Sequence, residues 1–220
     1  YRYADEIIAN SKKTAKDFSF FTKKRCSYIY PLTIEKLIVS KKKILKKNKL
    51  NILTISRLSK EKNVLEQLKA LDILKDKNFF LYILGDGLEK KGINTFIKRN
   101  KLNAKIIRYS DKIKHKLLKN CNLYICSSLF EGFPNAVVDA LNYNMPVISS
   151  KNHGGINEII LNKRGGELYD VGNQNQLAKK IFYISKNYNS SIKKTFIAKK
   201  FLKRFTKSNI EKYENLFDKI

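Results

Sequence analysis

The stretch that most constrains the fold is residues 122–150, NLYICSSLFEGFPNAVVDALNYNMPVISS. It begins and ends with short apolar runs rich in β-forming residues, which predict strands over residues 122–127 and 146–150. Between them, apolar residues recur at helical spacing and predict a helix over residues 135–142. A strand, a helix and a second strand in so short a stretch indicate a βαβ unit with two parallel strands.

The loop between the first strand and the helix carries the chemistry of this unit. Gly132 permits a close approach of the backbone to a ligand, and Pro134 suits a helix start, where its missing N–H is not needed. Helix starts at the carboxyl edge of a parallel sheet favour an anion, because free N–H groups and the positive end of the helix dipole face it. Glu131 would repel phosphate here, so we interpret it as an acceptor for hydroxyl groups.

Asp139 follows Glu131 by eight residues, about two helical turns at about 3.6 residues per turn. It is predicted to lie near the same face, deeper along the helix. Two hydroxyl acceptors beside a phosphate-binding helix start suit a sugar nucleotide. Taken alone, Glu131 is better explained as a solvated loop residue and Asp139 as a charge on the helix surface.

The spacing of Glu131 and Asp139 resembles the E-x7-E signature of retaining GT-B glycosyltransferases of family 4, with aspartate in place of the usual second glutamate. In that family the first acid contacts hydroxyls of the donor sugar, the glycine-containing loop contacts the donor, and the second acid binds the ribose hydroxyls. The resemblance assigns the first and third roles to Glu131 and Asp139. The loop positions that it assigns to the donor are Gly132, Phe133, Pro134 and Asn135.

A second motif lies between a predicted strand, residues 50–56, and a predicted amphipathic helix, residues 64–75, with Asn63 as a candidate cap. Arg57 and Lys62 in this loop offer what a pyrophosphate needs, a planar guanidinium and a point charge. In so lysine-rich a chain, Lys62 alone would be interpreted as solvated. Family 4 carries an Arg and a Lys at this spacing, so the resemblance implies that they hold the donor diphosphate and stabilise the leaving nucleotide.

Other parts of the chain resemble the family less specifically. Residues 79–84 and 105–109 predict further strands, and the resemblance places the turn after the second beside the nucleobase. It therefore implies base contacts for Tyr109 and Ser110, for which ordinary turn residues are the alternative. Residues 151–160 resemble the GG-x-x-E element beside the sugar site, and His153 within them is interpreted as structural or exposed.

The alternation of strands and helices predicts an α/β fold with one doubly wound parallel sheet, Rossmann-like. Additional helices are predicted over residues 88–100, 111–120, 174–186, 196–205 and 209–217. The resemblance identifies the main domain with the GT-B C-terminal domain. It divides the chain into residues 1–33, the tail of the N-terminal Rossmann domain; 34–49, an exposed basic linker; 50–205, the nucleotide-sugar-binding domain; and 206–220, a C-terminal helix.

The formal net charge of +27 favours an anionic partner. Attraction to an anionic membrane surface is one interpretation, and solvated lysine faces produced by an AT-rich genome are another. Specific nucleic-acid binding is not expected, because no recognition motif accompanies the charge.

Three cysteines, Cys26, Cys121 and Cys126, have neither CxxC spacing nor a histidine cluster, and we interpret them as buried free thiols in a reducing cytoplasm. We predict no metal site and no cofactor besides the donor. No uncharged apolar run approaches the about 20 residues that span a bilayer, and none resembles a signal peptide. The expected location is the cytoplasm, or the inner face of the cell membrane.

The resemblance implies the donor-binding half of a retaining glycosyltransferase of the hexosyltransferase type. The donor is expected to be a nucleotide diphosphate sugar, with UDP preferred, and the acceptor a glycan or lipid-linked glycan of a bacterial surface polysaccharide or lipopolysaccharide. Only the tail of the first Rossmann domain is recognised, so we expect a fragment, a truncated gene product or one half of a split enzyme that needs a separate N-terminal partner chain. No transfer by this chain alone is expected. The alternative is a non-catalytic module that binds a nucleotide sugar or an anionic surface.

Overall fold

The computed structural model describes residues 3–39, 44–45, 49–75, 78–151 and 154–218. Within them the strands are β1 (Ile8–Ala9), β2 (Ser27–Tyr28), β3 (Leu50–Ile55), β4 (Phe79–Leu84), β5 (Ala104–Ile107), β6 (Leu123–Cys126), β7 (Val147–Ser150) and β8 (Glu167–Tyr169). The α-helices are α1 (Lys12–Thr22), α2 (Val64–Leu74), α3 (Lys90–Arg99), α4 (Asp111–Asn120), α5 (Asn135–Asn142), α6 (Ile156–Ile159), α7 (Gln174–Lys186), α8 (Tyr188–Lys199) and α9 (Ile210–Phe217). Short 3₁₀ turns cover Lys60–Lys62, Leu202–Phe205 and Lys207–Asn209.

The main sheet has the strand order β5-β4-β3-β6-β7-β8, and every pairing in it is parallel. The chain builds outward from β3 to β5 on one side and then from β6 to β8 on the other. The order of the strands therefore reverses between β3 and β6, and in open α/β sheets ligands bind at the carboxyl ends of the two strands where this happens.

Helices cover both faces of the sheet. Neighbouring strand residues point to opposite faces, so Ile52 packs with α2, α3 and α7, whereas Leu53 packs with α4 and α5. Both side chains are fully buried. Strands buried on both faces read as continuous apolar runs, and this arrangement confirms the predicted doubly wound α/β fold.

The N-terminal segment forms a small unit of its own beside the main sheet. Its strands β1 and β2 pair in parallel, with α1 between them in sequence. Ser11 caps α1 by accepting a hydrogen bond from the backbone N–H of Thr14. The segment is therefore a βαβ unit.

Two predicted elements differ from the structure. The helix expected over residues 196–205 instead begins at Tyr188 and ends at Lys199, and a 3₁₀ turn follows it. Tyr188 is buried, and its hydroxyl donates to the carbonyl of Asn122 (3.0 Å). The first turn is mostly polar and shows no helical periodicity in the sequence. Tertiary packing of Tyr188 therefore determines where the helix begins.

The second difference concerns residues 34–49, predicted as an exposed linker. Ile34 is buried and its N–H donates to the carbonyl of Phe205 (3.3 Å), while Leu37 and Ile38 pack against the core. These apolar residues pack the first part of the linker against the domain, before the basic run begins. Residues 40–43 and 46–48 of the linker lie outside the described residues.

No helix in the described part of the chain is both long and apolar enough to cross a membrane.

Candidate active site

A cavity of about 240 Å³ opens at the carboxyl ends of β3 and β6 and is called here the β3–β6 cavity. Its position matches the point where the strand order reverses. Six of the predicted site residues line it: Arg57, Lys62, Glu131, Phe133, Pro134 and Asn135. The two loops that the sequence singled out thus meet in space.

Lys62 and Glu131 form an ion pair within this cavity. The Lys62 ammonium lies 2.6 Å from Oε1 of Glu131, and only 15% and 17% of their side chains are exposed. Ser128 donates to the same oxygen through its hydroxyl (2.8 Å). The cation expected at the diphosphate and the carboxylate expected at the sugar therefore neutralise each other.

Arg57 stands at the mouth of the cavity with 80% of its side chain exposed. Its guanidinium reaches Glu61 at 3.5 Å, a contact that solvent weakens. Glu61 also accepts a hydrogen bond from the hydroxyl of Ser59 (2.6 Å), which with Arg57 holds the pKa of Glu61 below its ordinary value. The guanidinium is therefore free to turn toward an anion in the cavity.

The start of α5 forms one wall of the cavity. Pro134 occupies the N-cap position without a side-chain cap, and Asn135 and Ala136 of the first turn line the cavity. The N–H groups of Asn135 and Val137 donate to the carbonyls of Phe133 and Pro134 (both 3.0 Å), so what the first turn presents to the cavity is chiefly the positive end of the helix dipole. The dipole favours an anion at this wall, and the anion site expected from the sequence stays a prediction.

The loop that carries Glu131 packs against the turn formed by Gly154 and Gly155, which precedes α6. The N–H of Gly155 donates to the carbonyl of Gly132 (2.9 Å). A Cβ on Gly154, whose φ is +111°, would lie 1.7 Å from the carbonyl oxygen of Glu131. Glycine is required here by both contact and conformation, which gives a physical reason for the Gly-Gly motif.

Glu158, the acid of this motif, turns away from the cavity and holds the N-terminal segment. Its carboxylate accepts hydrogen bonds from the backbone N–H groups of Lys12 (3.2 Å) and Lys13 (3.0 Å) at the start of α1, and from the hydroxyl of Tyr30 (2.6 Å). Burial and this hydrogen bond raise the pKa of Tyr30. The motif therefore joins the β3–β6 cavity to the segment that precedes the main domain.

Serines that sequence reasoning did not single out also line the cavity. Ser127 donates to the carbonyl of Lys62 (2.9 Å) and accepts from the side-chain amide of Gln67 (2.8 Å), which fixes the backbone beside the ion pair. The hydroxyl oxygen of Ser56 is buried and has no hydrogen-bond partner among the described residues. The sequence signal that could have identified these serines is their position directly after a strand, at the carboxyl edge of the sheet.

Asp139 lies on the next turn of α5, beside the cavity and not among its lining residues. It pairs with Lys114 of α4 at 2.6 Å, with 15% of its side chain and 21% of that of Lys114 exposed. Burial raises the pKa of Asp139 above its ordinary value, although Lys114 draws it down. Burial would lower the pKa of Lys114, but the hydrogen bond and charge of Asp139 raise it overall.

Three other predicted site residues also lie outside the cavity lining. Tyr109 follows β5, is 48% exposed and donates to Asp111 (2.8 Å). Ser110 caps α4 by accepting from the N–H of Ile113 (3.3 Å). Gly132 is packed so closely on Asn10 of the N-terminal segment that a Cβ would meet its amide at 2.8 Å.

Three further expectations concern metals, cysteines and a helix cap. The described residues contain no group of three or more His, Cys, Asp or Glu placed to hold a metal ion, and His153 lies outside them. No disulfide joins Cys26, Cys121 and Cys126; the last two are buried as predicted, whereas the predicted burial of Cys26 was wrong, because it lies half-exposed. The capping role of Asn63 was wrong, because its φ of +48° turns the side chain to donate to Glu66 (2.5 Å) instead of accepting from the helix.

Comparison with known proteins identifies the family. The family model of glycosyl transferases group 1 matches residues 36–200. The chain belongs to this glycosyltransferase family. It is 31% identical over 184 residues to a 4-alpha-N-acetylgalactosaminyltransferase of Campylobacter jejuni that acts on a diphospho-undecaprenol-linked sugar, covering 80% of this chain and 50% of that protein. An uncharacterized glycosyltransferase of Methanocaldococcus jannaschii is 34% identical over 176 residues, covering 73% and 43%.

Solved structures of glycosyltransferases share the fold. Anabaena HepE in complex with UDP superposes with a TM-score of 0.83 at 20% identity, covering 100% of this chain and 65% of that one. Staphylococcus aureus TarM, as a mutant in complex with UDP and sugars, gives a TM-score of 0.84 at 20% identity, covering 98% and 44%. The chain spans about half the length of the curated relatives it matches. The predicted resemblance to the C-terminal half of a GT-B glycosyltransferase is confirmed.

Proposed function

We propose that this chain binds the nucleotide sugar donor of a retaining glycosyltransferase, and that the donor is a UDP-sugar. The observation that carries the proposal is the convergence of two cations, one carboxylate and an uncapped helix start on the β3–β6 cavity. A cavity with only cations would suit any phosphate. The added carboxylate supplies a hydroxyl acceptor where a sugar attached to the diphosphate would lie.

Each group then has a role in the departure of the nucleotide. The start of α5, Lys62 and Arg57 stabilise the negative charge that grows on the diphosphate as its bond to the sugar breaks. Glu131 accepts hydrogen bonds from sugar hydroxyls and keeps the sugar in place for the acceptor. Asp139 binds the ribose hydroxyls, and Tyr109 and Ser110 lie on the base side. These groups need no metal ion to balance the diphosphate charge.

The names of relatives support a role in bacterial surface glycans. Besides the Campylobacter enzyme, they include a lipopolysaccharide 1,6-galactosyltransferase of Salmonella typhimurium and an O-antigen biosynthesis glycosyltransferase of Escherichia coli. We propose a hexosyl donor, and a glycan or lipid-linked acceptor at the cytoplasmic face of the membrane. Transfer is proposed for a whole enzyme that includes an N-terminal domain or partner chain, since the relatives are about twice as long.

Calorimetric titration with UDP, GDP and their sugars at physiological salt tests this proposal. We expect selective binding of UDP-sugars that is weakened by Arg57→Ala and by Asp139→Ala. A folded chain that binds none of the four ligands would refute it. Binding to anionic vesicles or nucleic acid that falls steeply with salt and ignores Glu131→Ala would favour the alternative, an anionic-surface module driven by the net charge of +27.

A further inference from the structure

The contact between Lys114 and Asp139 lies beside the β3–β6 cavity, and neither residue is among those that line it. Asp139 is one helical turn beyond Asn135, whose side chain lines the β3–β6 cavity. Its carboxylate meets the ammonium of Lys114 at 2.6 Å, across the gap between α4 and α5. The lysine comes from a different element and was not indicated by any sequence motif.

This ion pair differs from the solvated bridges found elsewhere on the chain. The pair between Lys90 and Asp86 leaves 44% and 54% of its side chains exposed, whereas Lys114 and Asp139 leave 21% and 15%. Removing one partner of a buried pair leaves the other charge uncompensated in a poorly solvated place. Asp139 therefore depends on Lys114 for its charge, and a neutral acid would be a poor acceptor for hydroxyl groups.

The other groups around Asp139 do not replace this cation. His115 faces it from α4, but its Nδ1 is engaged with the hydroxyl of Tyr143 (2.7 Å). The other groups that feel its charge are the phenols of Tyr109, Tyr124 and Tyr143, which are neutral at physiological pH. Lys114 is thus the one ammonium in contact with the carboxylate among the described residues.

We propose that Lys114 is a positioning residue of the donor site, which holds the Asp139 carboxylate charged and oriented to accept hydrogen bonds from the ribose hydroxyls. This inference rests on the proposed function, because donor binding is what brings a ribose to Asp139. It explains how an aspartate, shorter by one methylene than glutamate, is held in one orientation at this position.

The test compares UDP with 2′,3′-dideoxy-UDP on the same protein sample. The ratio of the two Kd values cancels any loss of folded protein, so it reports only on the ribose hydroxyls. For the wild type and for Lys114→Arg we expect at least about a tenfold preference for UDP. Lys114→Met should reduce the ratio to about one, and the control Lys112→Met, on the exposed side of α4, should leave it unchanged.

The double variant Lys114→Met/Asp139→Asn separates an indirect role from a direct one. If Lys114 acts through Asp139, the double variant has the same ratio and the same UDP affinity as Asp139→Asn. A tenfold preference retained by Lys114→Met, or a further loss of UDP affinity in the double variant, would overturn the inference while leaving donor binding intact. Equal wild-type affinity for both ligands would remove the ribose role of Asp139, and absence of wild-type binding to either would remove the proposed function itself.

Discussion

Lys62 and Glu131, which are 69 residues apart in the sequence, share a hydrogen bond of 2.6 Å in the cavity where β3 and β6 end. Each side chain is mostly buried, and each is matched chemically to a different part of a nucleotide sugar. A diphosphate that enters the cavity must compete with Glu131 for the ammonium. The two charges therefore offset each other, and we expect this ion pair to affect how UDP and a UDP-sugar differ in affinity.

The first prediction concerns removal of this competition. Glu131→Gln should strengthen binding of UDP by about fivefold or more, because the mostly buried Lys62 ammonium then has no carboxylate partner and the diphosphate no longer competes for it. The same variant should lose any additional affinity that wild type has for a UDP-sugar over UDP. Titration calorimetry of both ligands measures the two effects.

Two variants control this experiment. Lys62→Met removes the cation and should weaken both ligands by about tenfold or more, the value of a charged hydrogen bond. Glu211→Gln changes an exposed carboxylate on α9 and should alter neither affinity. Weaker UDP binding by Glu131→Gln would contradict the competition and indicate that Glu131 holds the cation in place for the diphosphate.

The second prediction concerns the glycine turn behind the cavity. Gly154→Ala should destabilise the fold by more than about 1 kcal/mol and weaken UDP-sugar binding, because its Cβ would lie 1.7 Å from the carbonyl oxygen of Glu131. Gly172→Ala is the matched control, since Gly172 also has positive φ (+82°) but no atom within 4 Å of the added Cβ. Urea unfolding of the two variants separates the cost of the steric clash from the cost of placing alanine at positive φ. Equal losses of unfolding free energy in the two variants would disprove the clash with Glu131.

The third prediction concerns Lys199, whose ammonium bonds to the carbonyls of Ile38 (2.7 Å) and Asn142 (2.6 Å) and to the side-chain oxygen of Asn144 (2.7 Å). Burial lowers the pKa of Lys199 to about 8. Lys199→Met leaves these oxygens without their donor and should reduce the free energy of unfolding by about 1–3 kcal/mol.

The pH dependence of this variant has a defined sign. Between about pH 8 and the unfolded pKa near 10.4, the unfolded chain holds a proton on Lys199 that the folded chain has lost. The contribution of this group to the free energy of unfolding therefore rises with pH in that window. In urea unfolding, the free energy of unfolding of the wild type should exceed that of Lys199→Met by more at pH 9.5 than at pH 7.5. Lys200→Met, an exposed neighbour, should show neither the loss nor the slope. A gap that narrows with pH would contradict the lowered pKa.

Parts of the fold were predictable because local sequence and tertiary packing agree there. The helix over residues 135–142 and the strand over 79–84 match the predicted bounds. The helix start at Tyr188 was missed, since a buried tyrosine among polar residues has no local periodicity. The burial of Ile34 was missed for a similar reason, because its contact is with Phe205, far away in the chain.

The candidate site was likewise predictable only in part. Residues on the loops after β3 and β6 were predictable, because carboxyl ends of adjacent parallel strands must meet at one edge. Their pairing was not, since nothing in the sequence says that Lys62 contacts Glu131 and not solvent. Lys114 and Ser56 had no motif to mark them, because their importance depends on which side chain or empty space faces them.

The fourth prediction concerns Glu158, which joins α6 to the N-terminal segment through Lys12, Lys13 and Tyr30. Glu158→Gln keeps the shape of the side chain but removes the charge that stabilises the start of α1, which should cost about 0.5–2 kcal/mol. Because the loss is local, hydrogen exchange at the first amides of α1 should accelerate while exchange in β3 and β4 stays unchanged. Asn157→Asp, which alters the neighbouring residue and leaves the carboxylate of Glu158 in place, should leave exchange in α1 unchanged. Uniform acceleration through β3 and β4 would instead show that Glu158 stabilises the whole domain and not the attachment of α1.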